Sequence, residues 1–166
     1  MVSSNPQKKE IKLDQFRPAT LNDESFLHHS DDCIVWLGHA TFFIRMGGMN
    51  VLIDPVFYDV PFVKRYVDHA FSVDKFNNIH YLLISHDHQD HCQQKSIRGV
   101  VRQNPRMKIL TGLNMESLLR PWSKSIPIEM AGWYQKYVTD TSLEIFYMPS
   151  RHWSKRGLND ENKRLW

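Results

Sequence analysis

The stretch from Ile79 to His91 constrains this chain more than any other feature of the sequence. It begins with a continuous apolar run, Ile79 to Ser85, which is typical of a strand covered on both faces. The run leads directly into His86-x-His88-x-Asp90-His91. Open α/β sheets present their functional loops beyond the carboxyl ends of their strands, so the position also favours a site. A chance match has a probability on the order of a few in a thousand, which argues against a His-rich surface loop.

Three imidazoles and one carboxylate within six residues form a ligand set suited to zinc, iron or manganese. Side chains two apart in extended backbone share a face, so His86 and His88 can converge on one point. Asp90 and His91 follow where the chain turns and can point to a second point nearby. His152 follows another predicted strand and would complete a three-His face, although an isolated histidine is more often structural. A metal held by three histidines lowers the pKa of its water towards ~7.

Composition excludes several classes of protein. The 166 residues are 42% hydrophobic and 23% charged, as in a single soluble globular domain. The net charge of +3 is too small and too dispersed to indicate nucleic-acid binding. No apolar run approaches the ~18 residues of a transmembrane helix, and Met1 to Lys12 has no apolar signal region. We therefore expect a cytoplasmic protein, with peripheral contact to a membrane surface still compatible with the charge.

Two cysteines form no disulfide framework, and Cys92 is predicted to be a small buried hydrophobe.

The chain divides into an irregular lead-in over residues 1–32, punctuated by Pro6 and Pro18, and a folded region over 33–166. We expect strands over 33–37, 41–46, 51–53, 79–85, 107–110, 126–130, 134–138 and 143–148. Helices are expected over 93–103 and 114–119, with Pro121 ending the second. Residues 56–78 are predicted to form a long ordered loop with one helical turn. Its aromatic residues either form an apolar wall for an acyl chain or a membrane-facing lid, or pack into the core: Phe57, Tyr58, Phe62, Tyr66, Phe71 and Phe76.

These motifs make the chain resemble the amino-terminal part of a metallo-β-lactamase-fold hydrolase, whose hallmark is the His86-x-His88-x-Asp90-His91 pattern. The resemblance covers about residues 33–166. Further motifs resemble a narrower group, which holds N-acyl-phosphatidylethanolamine-hydrolysing phospholipase D and bacterial L-ascorbate-6-phosphate lactonase-like proteins. They are Trp36-Leu37-Gly38-His39-Ala40-Thr41, Leu52-Ile53-Asp54-Pro55-Val56-Phe57, His152-Trp153 and the tail from Arg156 to Trp166, which resembles the phospholipase branch most.

The resemblance implies an α/β fold, the αββα sandwich of the metallo-β-lactamases, of which this chain would supply roughly the first half as a mixed sheet with flanking helices. It implies His86, His88 and His152 at one metal. It implies Asp90 and His91 at a second metal, with Asp90 also the candidate catalytic carboxylate.

Two further residues take roles from the same resemblance. Asp54 would be a carboxylate that orients a ligand histidine, the alternative being a turn residue at the end of a strand. His39 would line the site, the alternative being a structural histidine.

The sequence departs from the family pattern after His152. The family has a bridging aspartate and a last histidine in a second half, whereas the only acidic residues after His152 are Asp160 and Glu161. We therefore expect a truncated chain with one tight zinc site, manganese and iron being alternatives, and an incomplete second site.

The function we expect is metal-dependent hydrolysis by a metal-bound hydroxide, acting on a small-molecule or phospholipid-like phosphodiester. A lactone hydrolase of the same fold is the alternative chemistry. A third reading is a non-catalytic metal-binding fragment, which would need a partner chain or would associate with itself through its open sheet. Arg151, Lys155 and Arg156 either attract a phosphate group or form a solvated charged loop.

Overall fold

The computed structural model describes residues 10, 16, 19–61, 63, 65 and 67–166. The expectations for Pro6, Pro18, Phe62 and Tyr66 lie outside these residues. Of the lead-in, the described part carries one 3-10 turn, Ser25–Leu27, and buries Phe26 in the core. Among the described residues, no helix has the length and apolarity needed to cross a membrane.

A six-stranded mixed sheet forms the centre of the fold, and its strands follow one another in space in the order of the chain. The strands are β1 (Cys33–Gly38), β2 (Thr41–Met46), β3 (Met49–Ile53), β4 (Tyr81–Ile84), β5 (Lys108–Gly112) and β6 (Ile128–Ala131). β1, β2 and β3 pair antiparallel, whereas β3 to β6 pair parallel. The α/β fold with a mixed sheet is therefore confirmed.

The β2–β3 hairpin is tighter than the sequence predicts. The strands expected over 41–46 and 51–53 leave residues 47–50 as their connection, but Met49 and Asn50 already pair with β2. Gly47 and Gly48 alone make the turn, with φ values of 57° and 77°. Glycine reaches such positive values without steric cost, so a two-residue turn suffices.

In the part of the chain that the structure describes, two helices cover one face of the sheet. α1 (Gln94–Gln103) agrees with its predicted span and buries Ile97, Val100 and Val101. α2 (Glu116–Ser123) continues past Pro121, so the predicted end of this helix was wrong. Pro121 removes one helical hydrogen bond, but Leu119 and Trp122 on either side are buried. Their packing keeps the last turn helical.

The expected strands near the end of the chain are shorter than predicted. β7 (Gln135–Lys136) and β8 (Phe146–Tyr147) form a separate two-stranded antiparallel sheet. Tyr134 has a φ of 66°, which an extended strand cannot accommodate, and this ends the ladder on that side.

Alternate positions along the central strands supply two clusters of buried side chains on opposite faces of the sheet. The larger cluster includes Leu52, Leu82 and Ile109 and packs against both helices, while the smaller includes Val51, Tyr81 and Leu110. Phe57, Phe71 and Phe76 from the long loop belong to the larger cluster, so these three aromatics pack into the core. The described part of the loop contains the expected helical turn, at Val73–Lys75.

Candidate metal centre

The carboxyl ends of β3 and β4 lie side by side and lead into the candidate site. Ile53 pairs with Leu83, and the Asp54 amide continues the ladder by donating to the Leu83 carbonyl at 3.0 Å. β4 continues into the histidine loop, which we define as residues 85–92. Within this loop the amides of His91 and Cys92 both donate to the His88 carbonyl, so the chain turns directly after His88.

Three imidazole nitrogens converge at the end of β4, and we call His86, His88 and His152 the first group. The His86 Nε2 lies 2.9 Å from the His88 Nδ1 and 2.9 Å from the His152 Nε2. The His88 Nδ1 and the His152 Nε2 are 3.2 Å apart. The structure thus brings together the three histidines that the sequence grouped, across a separation of more than sixty residues.

This triangle of nitrogens suits a cation. A ring nitrogen of a neutral imidazole is either a donor or an acceptor, so at least two of any three must be alike. Three mutual contacts of 3.2 Å or less therefore cannot all be hydrogen bonds. A metal ion removes the conflict because it accepts all three lone pairs. Ligand nitrogens around a tetrahedral zinc would be about 3.3 Å apart, given Zn–N bonds of ~2.0–2.1 Å.

A second convergence lies next to the first and consists of His39, Asp90 and His91, which we call the second group. The Asp90 Oδ2 is 3.0 Å from the His39 Nε2 and 3.9 Å from the His91 Nε2. His39 has a φ of 49° in the tight turn between β1 and β2, and this turn carries its ring to the histidine loop. The sequence assigned only two ligands to this group, and the structure adds His39 as a third candidate.

Asp54 lies between the two groups as a buried carboxylate. Its Oδ2 is 2.9 Å from the His91 Nδ1. It also accepts hydrogen bonds from Ser85, at the start of the histidine loop. The sequence proposed an orienting carboxylate here but did not single out Ser85.

Asp87 is a second residue that sequence reasoning missed. It occupies the variable position between His86 and His88 and is fully buried. Its Oδ1 accepts from the Lys155 amide at 3.0 Å, and its Oδ2 accepts from the Arg164 guanidinium at 2.8 Å. A carboxylate inside the motif and an arginine in the charged tail were the available signal.

The 152–166 segment is fixed to the histidine loop through these contacts. Arg156 donates to the carbonyls of Asp87 and Cys92, both at 2.8 Å, and so connects two points of the loop that are five positions apart. The Lys155 ammonium pairs with Glu161 at 3.1 Å. Two of the three basic residues near His152, Lys155 and Arg156, thus pair with protein groups.

Burial and crowding set the protonation of the histidines. Burial, together with the neighbouring imidazoles, lowers the pKa of His86 from 6.5 to about 3. Burial is also the main cause that lowers the pKa of His88. Burial opposes the charge of His91, but its hydrogen bond to Asp54 raises the pKa of His91 overall. His86 and His88 therefore present neutral imidazoles, which is the form that binds metals.

The profile of the family described as "Beta-lactamase superfamily domain" matches residues 33–166. The chain belongs to this family. The match confirms the resemblance to metallo-β-lactamase-fold proteins that the histidine motif indicated. The chain is also similar to the Caenorhabditis elegans protein named N-acyl-phosphatidylethanolamine-hydrolyzing phospholipase D 1. The two are 28% identical over an alignment that covers 97% of this chain and 49% of that protein.

Other relatives carry related names. A Saccharomyces cerevisiae protein named mitochondrial N-acyl-phosphatidylethanolamine-hydrolyzing phospholipase D is 26% identical over 79% of this chain and 29% of its own length. A Sulfurisphaera tokodaii protein named metal-dependent hydrolase is 29% identical over 59% of this chain and 42% of its own length. The chain thus spans half or less of the length of these curated relatives.

Solved structures support the same fold. CmlA, a diiron beta-hydroxylase from Streptomyces venezuelae, superposes with a TM-score of 0.56 and 22% identity, covering 73% of this chain and 24% of that one. An isothiocyanate hydrolase from Delia radicum gut bacteria superposes with a TM-score of 0.52 and 18% identity, covering 68% of this chain and 46% of that one. At these identities the likeness concerns the fold alone.

Proposed function

We propose that this family member is a metal-dependent hydrolase and that its substrate is a lipid-like phosphodiester. The observation that carries the proposal is the convergence of three imidazole nitrogens within 3.2 Å of one another, beside a second group of two histidines and a carboxylate. Zinc is the metal that we propose, because a three-His set with an open position is a known catalytic zinc arrangement. When bound, such a metal polarises an ester oxygen and lowers the pKa of a water ligand.

The residues of the chain take separate roles in this proposal. His86, His88 and His152 hold one metal, while His39, Asp90 and His91 hold the other. The Asp90 carboxylate is charged at neutral pH: burial opposes its charge, but a backbone hydrogen bond and the facing imidazoles lower its pKa overall. An ionised Asp90 can accept a proton from a reacting group or bind a cation.

The lipid-like part of the proposal is supported by an apolar cavity of about 580 Å³. Apolar side chains line most of it, among them Val35, Leu37, Val56 and Val60. His39 and Asp90 of the second group form part of its wall. Small-molecule sites usually occupy ~300–1,000 Å³, so an apolar tail fits there with its head group at the metals. The names of the C. elegans and S. cerevisiae relatives point to the same class of substrate.

Metal content tests the two-site arrangement. With three candidate ligands in each group, we expect about two zinc ions per chain by elemental analysis, rather than the single tight ion expected from the sequence. His39→Ala should retain about one, because the first group is intact. His28→Ala is a matched control, since His28 is exposed and belongs to neither group.

Hydrolysis tests the chemistry. We expect the zinc- or manganese-loaded protein to hydrolyse bis-p-nitrophenyl phosphate, and His88→Ala to abolish both this activity and one metal site. Hydrolysis of a lactone in place of the phosphodiester would favour the alternative chemistry. Metal binding without hydrolysis of either substrate would refute the enzymatic proposal for this chain.

A further inference from the structure

We infer that Ser85 is a positioning residue, which connects the carboxylate of Asp54 to His86 and fixes the tautomer of that imidazole. This inference rests on the proposed metal-binding function, since it concerns a ligand of the first group. It assigns a separate role to the residue immediately before the histidine motif.

Asp54 is the starting point of the connection. Its side chain is only 4% exposed and, as a carboxylate, it can only accept hydrogen bonds. The Ser85 amide donates to the Asp54 Oδ1 at 2.7 Å, and the Ser85 hydroxyl donates to the Oδ2 at 2.5 Å. The two bonds together hold the Ser85 side chain in one orientation.

The tautomer of His86 follows from counting protons. The single hydroxyl proton of Ser85 points to Asp54, so Ser85 can only accept a hydrogen bond from the His86 Nδ1, which lies 2.9 Å away. The Nδ1 must therefore carry the imidazole proton, an assignment that comes from the hydrogen-bond network. The Nε2 is left with its lone pair, and this is the nitrogen that faces His88 and His152.

The same carboxylate acts on the second group by a shorter route. The Asp54 Oδ2 accepts directly from the His91 Nδ1 at 2.9 Å, which leaves the His91 Nε2 facing Asp90. One buried carboxylate thus fixes one histidine in each group, directly at His91 and through a hydroxyl at His86. The two routes predict that Ser85 serves the first group alone, whereas Asp54 serves both.

The backbone around Asp54 is arranged to hold this position. Asp54 has a φ of 42°, which is uncommon for residues other than glycine, asparagine and aspartate. The buried hydroxyl of Thr41 donates to the Asp54 carbonyl at 2.8 Å and accepts from the Val56 amide at 3.1 Å. Asn is tolerated at the same φ, so Asp54→Asn changes the charge and leaves the backbone conformation accessible.

Nuclear magnetic resonance of the metal-free protein reads the tautomer directly. Long-range ¹H–¹⁵N spectra at neutral pH should show His86 protonated at Nδ1 in the wild-type protein. Ser85→Ala should give a mixture of tautomers, because the acceptor facing Nδ1 is lost. Ser85→Thr keeps the hydroxyl and should restore the wild-type spectrum. Ser96→Ala is a matched control, since it removes another buried serine hydroxyl, which bonds only to Phe57 and Gln93 among the described contacts.

Zinc affinity provides the second measurement, by competition with a chromophoric chelator. In a His39→Ala background, which isolates the first group, Ser85→Ala should weaken binding by roughly 10–100-fold, the usual effect of losing an outer hydrogen-bond partner. In a His152→Ala background, which isolates the second group, Ser85→Ala should have little effect and Asp54→Asn a large one.

Two results would overturn the inference. An unchanged His86 tautomer in Ser85→Ala would show that the hydroxyl does not select it. Equal weakening of both groups by Ser85→Ala would show a general structural role. If the wild-type protein bound no zinc, the proposed function would fail, while the tautomer spectra would still decide the role of Ser85.

Discussion

Replacing Arg164 with methionine should both destabilise the protein and weaken zinc binding by the first group. Arg164 donates to the Oδ2 of Asp87 at 2.8 Å and to the Oδ2 of Asp160 at 2.8 Å. The side chain of Asp87 is 0% exposed and that of Arg164 is 17% exposed, so the Asp87–Arg164 pair is nearly dehydrated. Methionine keeps much of the packing volume and removes the cation.

The magnitude follows from the charge left behind. Removing one partner of a buried ion pair typically costs about 3–5 kcal/mol, because the remaining charge stays buried without a counter-ion. For a chain of this size that corresponds to a fall of roughly 6–20 °C in Tm. Lys136→Met is the control: it breaks the Lys136–Glu144 pair, whose side chains are 51% and 60% exposed. Exposed pairs contribute only about 0–1 kcal/mol.

Urea unfolding of the metal-free protein measures the stability, and chelator competition measures zinc affinity. Zinc affinity should fall because Asp87 also accepts from the Lys155 amide, three residues beyond His152. The double variant with Asp87→Asn should recover part of the lost stability, since no unpaired charge then remains buried. If Arg164→Met lost no more stability than Lys136→Met, Asp87 would not depend on this cation and the reasoning would be refuted.

Two further predictions concern titration and thiol chemistry. The pKa of His86 falls from 6.5 to about 3 on folding and that of His88 is also lowered, so the metal-free protein should be stable above pH 6.5 and lose stability as the pH falls towards 3. The free energy of unfolding should change by at most about 1.4 kcal/mol per pH unit for each of these two histidines. The raised pKa of His91 acts in the opposite direction. Urea unfolding at several pH values measures this dependence, and a free energy of unfolding that does not change with pH would contradict the prediction. The second prediction concerns the thiols: burial raises the pKa of Cys92 to about 12, whereas Cys33 is only partly buried. A thiol reagent should therefore modify Cys33 in the folded protein and Cys92 only after unfolding. Rapid modification of both cysteines in the folded protein would be inconsistent with the structure.

The fold was predictable where the signal is local. The β-branched and aromatic runs gave β1 and β2 within a residue, and the helical spacing of Ile97, Val100 and Val101 gave α1. α2 was misjudged at Pro121 because burial of the neighbouring side chains outweighs the lost hydrogen bond. Intrinsic helix propensity does not include the free energy gained by packing these side chains into the core.

The candidate site, like the fold, was predictable from the sequence only where its signal is local. The convergence of His86 and His88 follows from their spacing directly after the end of β4. The contact of His39 with Asp90 joins residues 51 positions apart and depends on how the β1–β2 turn meets the histidine loop. The pairing of Asp87 with Arg164 spans 77 positions, and it required the path of the whole 152–166 segment. Such contacts have no local pattern from which to predict them.

The first group joins two distant parts of the chain. Its two neighbouring histidines are 64 and 66 positions from His152. A metal ion that binds all three is therefore a reversible cross-link, which closes a loop of that length in the unfolded chain as a disulfide would. The chain entropy removed by closing such a loop is worth about 4 kcal/mol, a large part of the ~5–15 kcal/mol stability of a typical domain. If the first group binds such an ion, the concentration of free metal would set the free energy of unfolding of the chain as well as what the chain can bind.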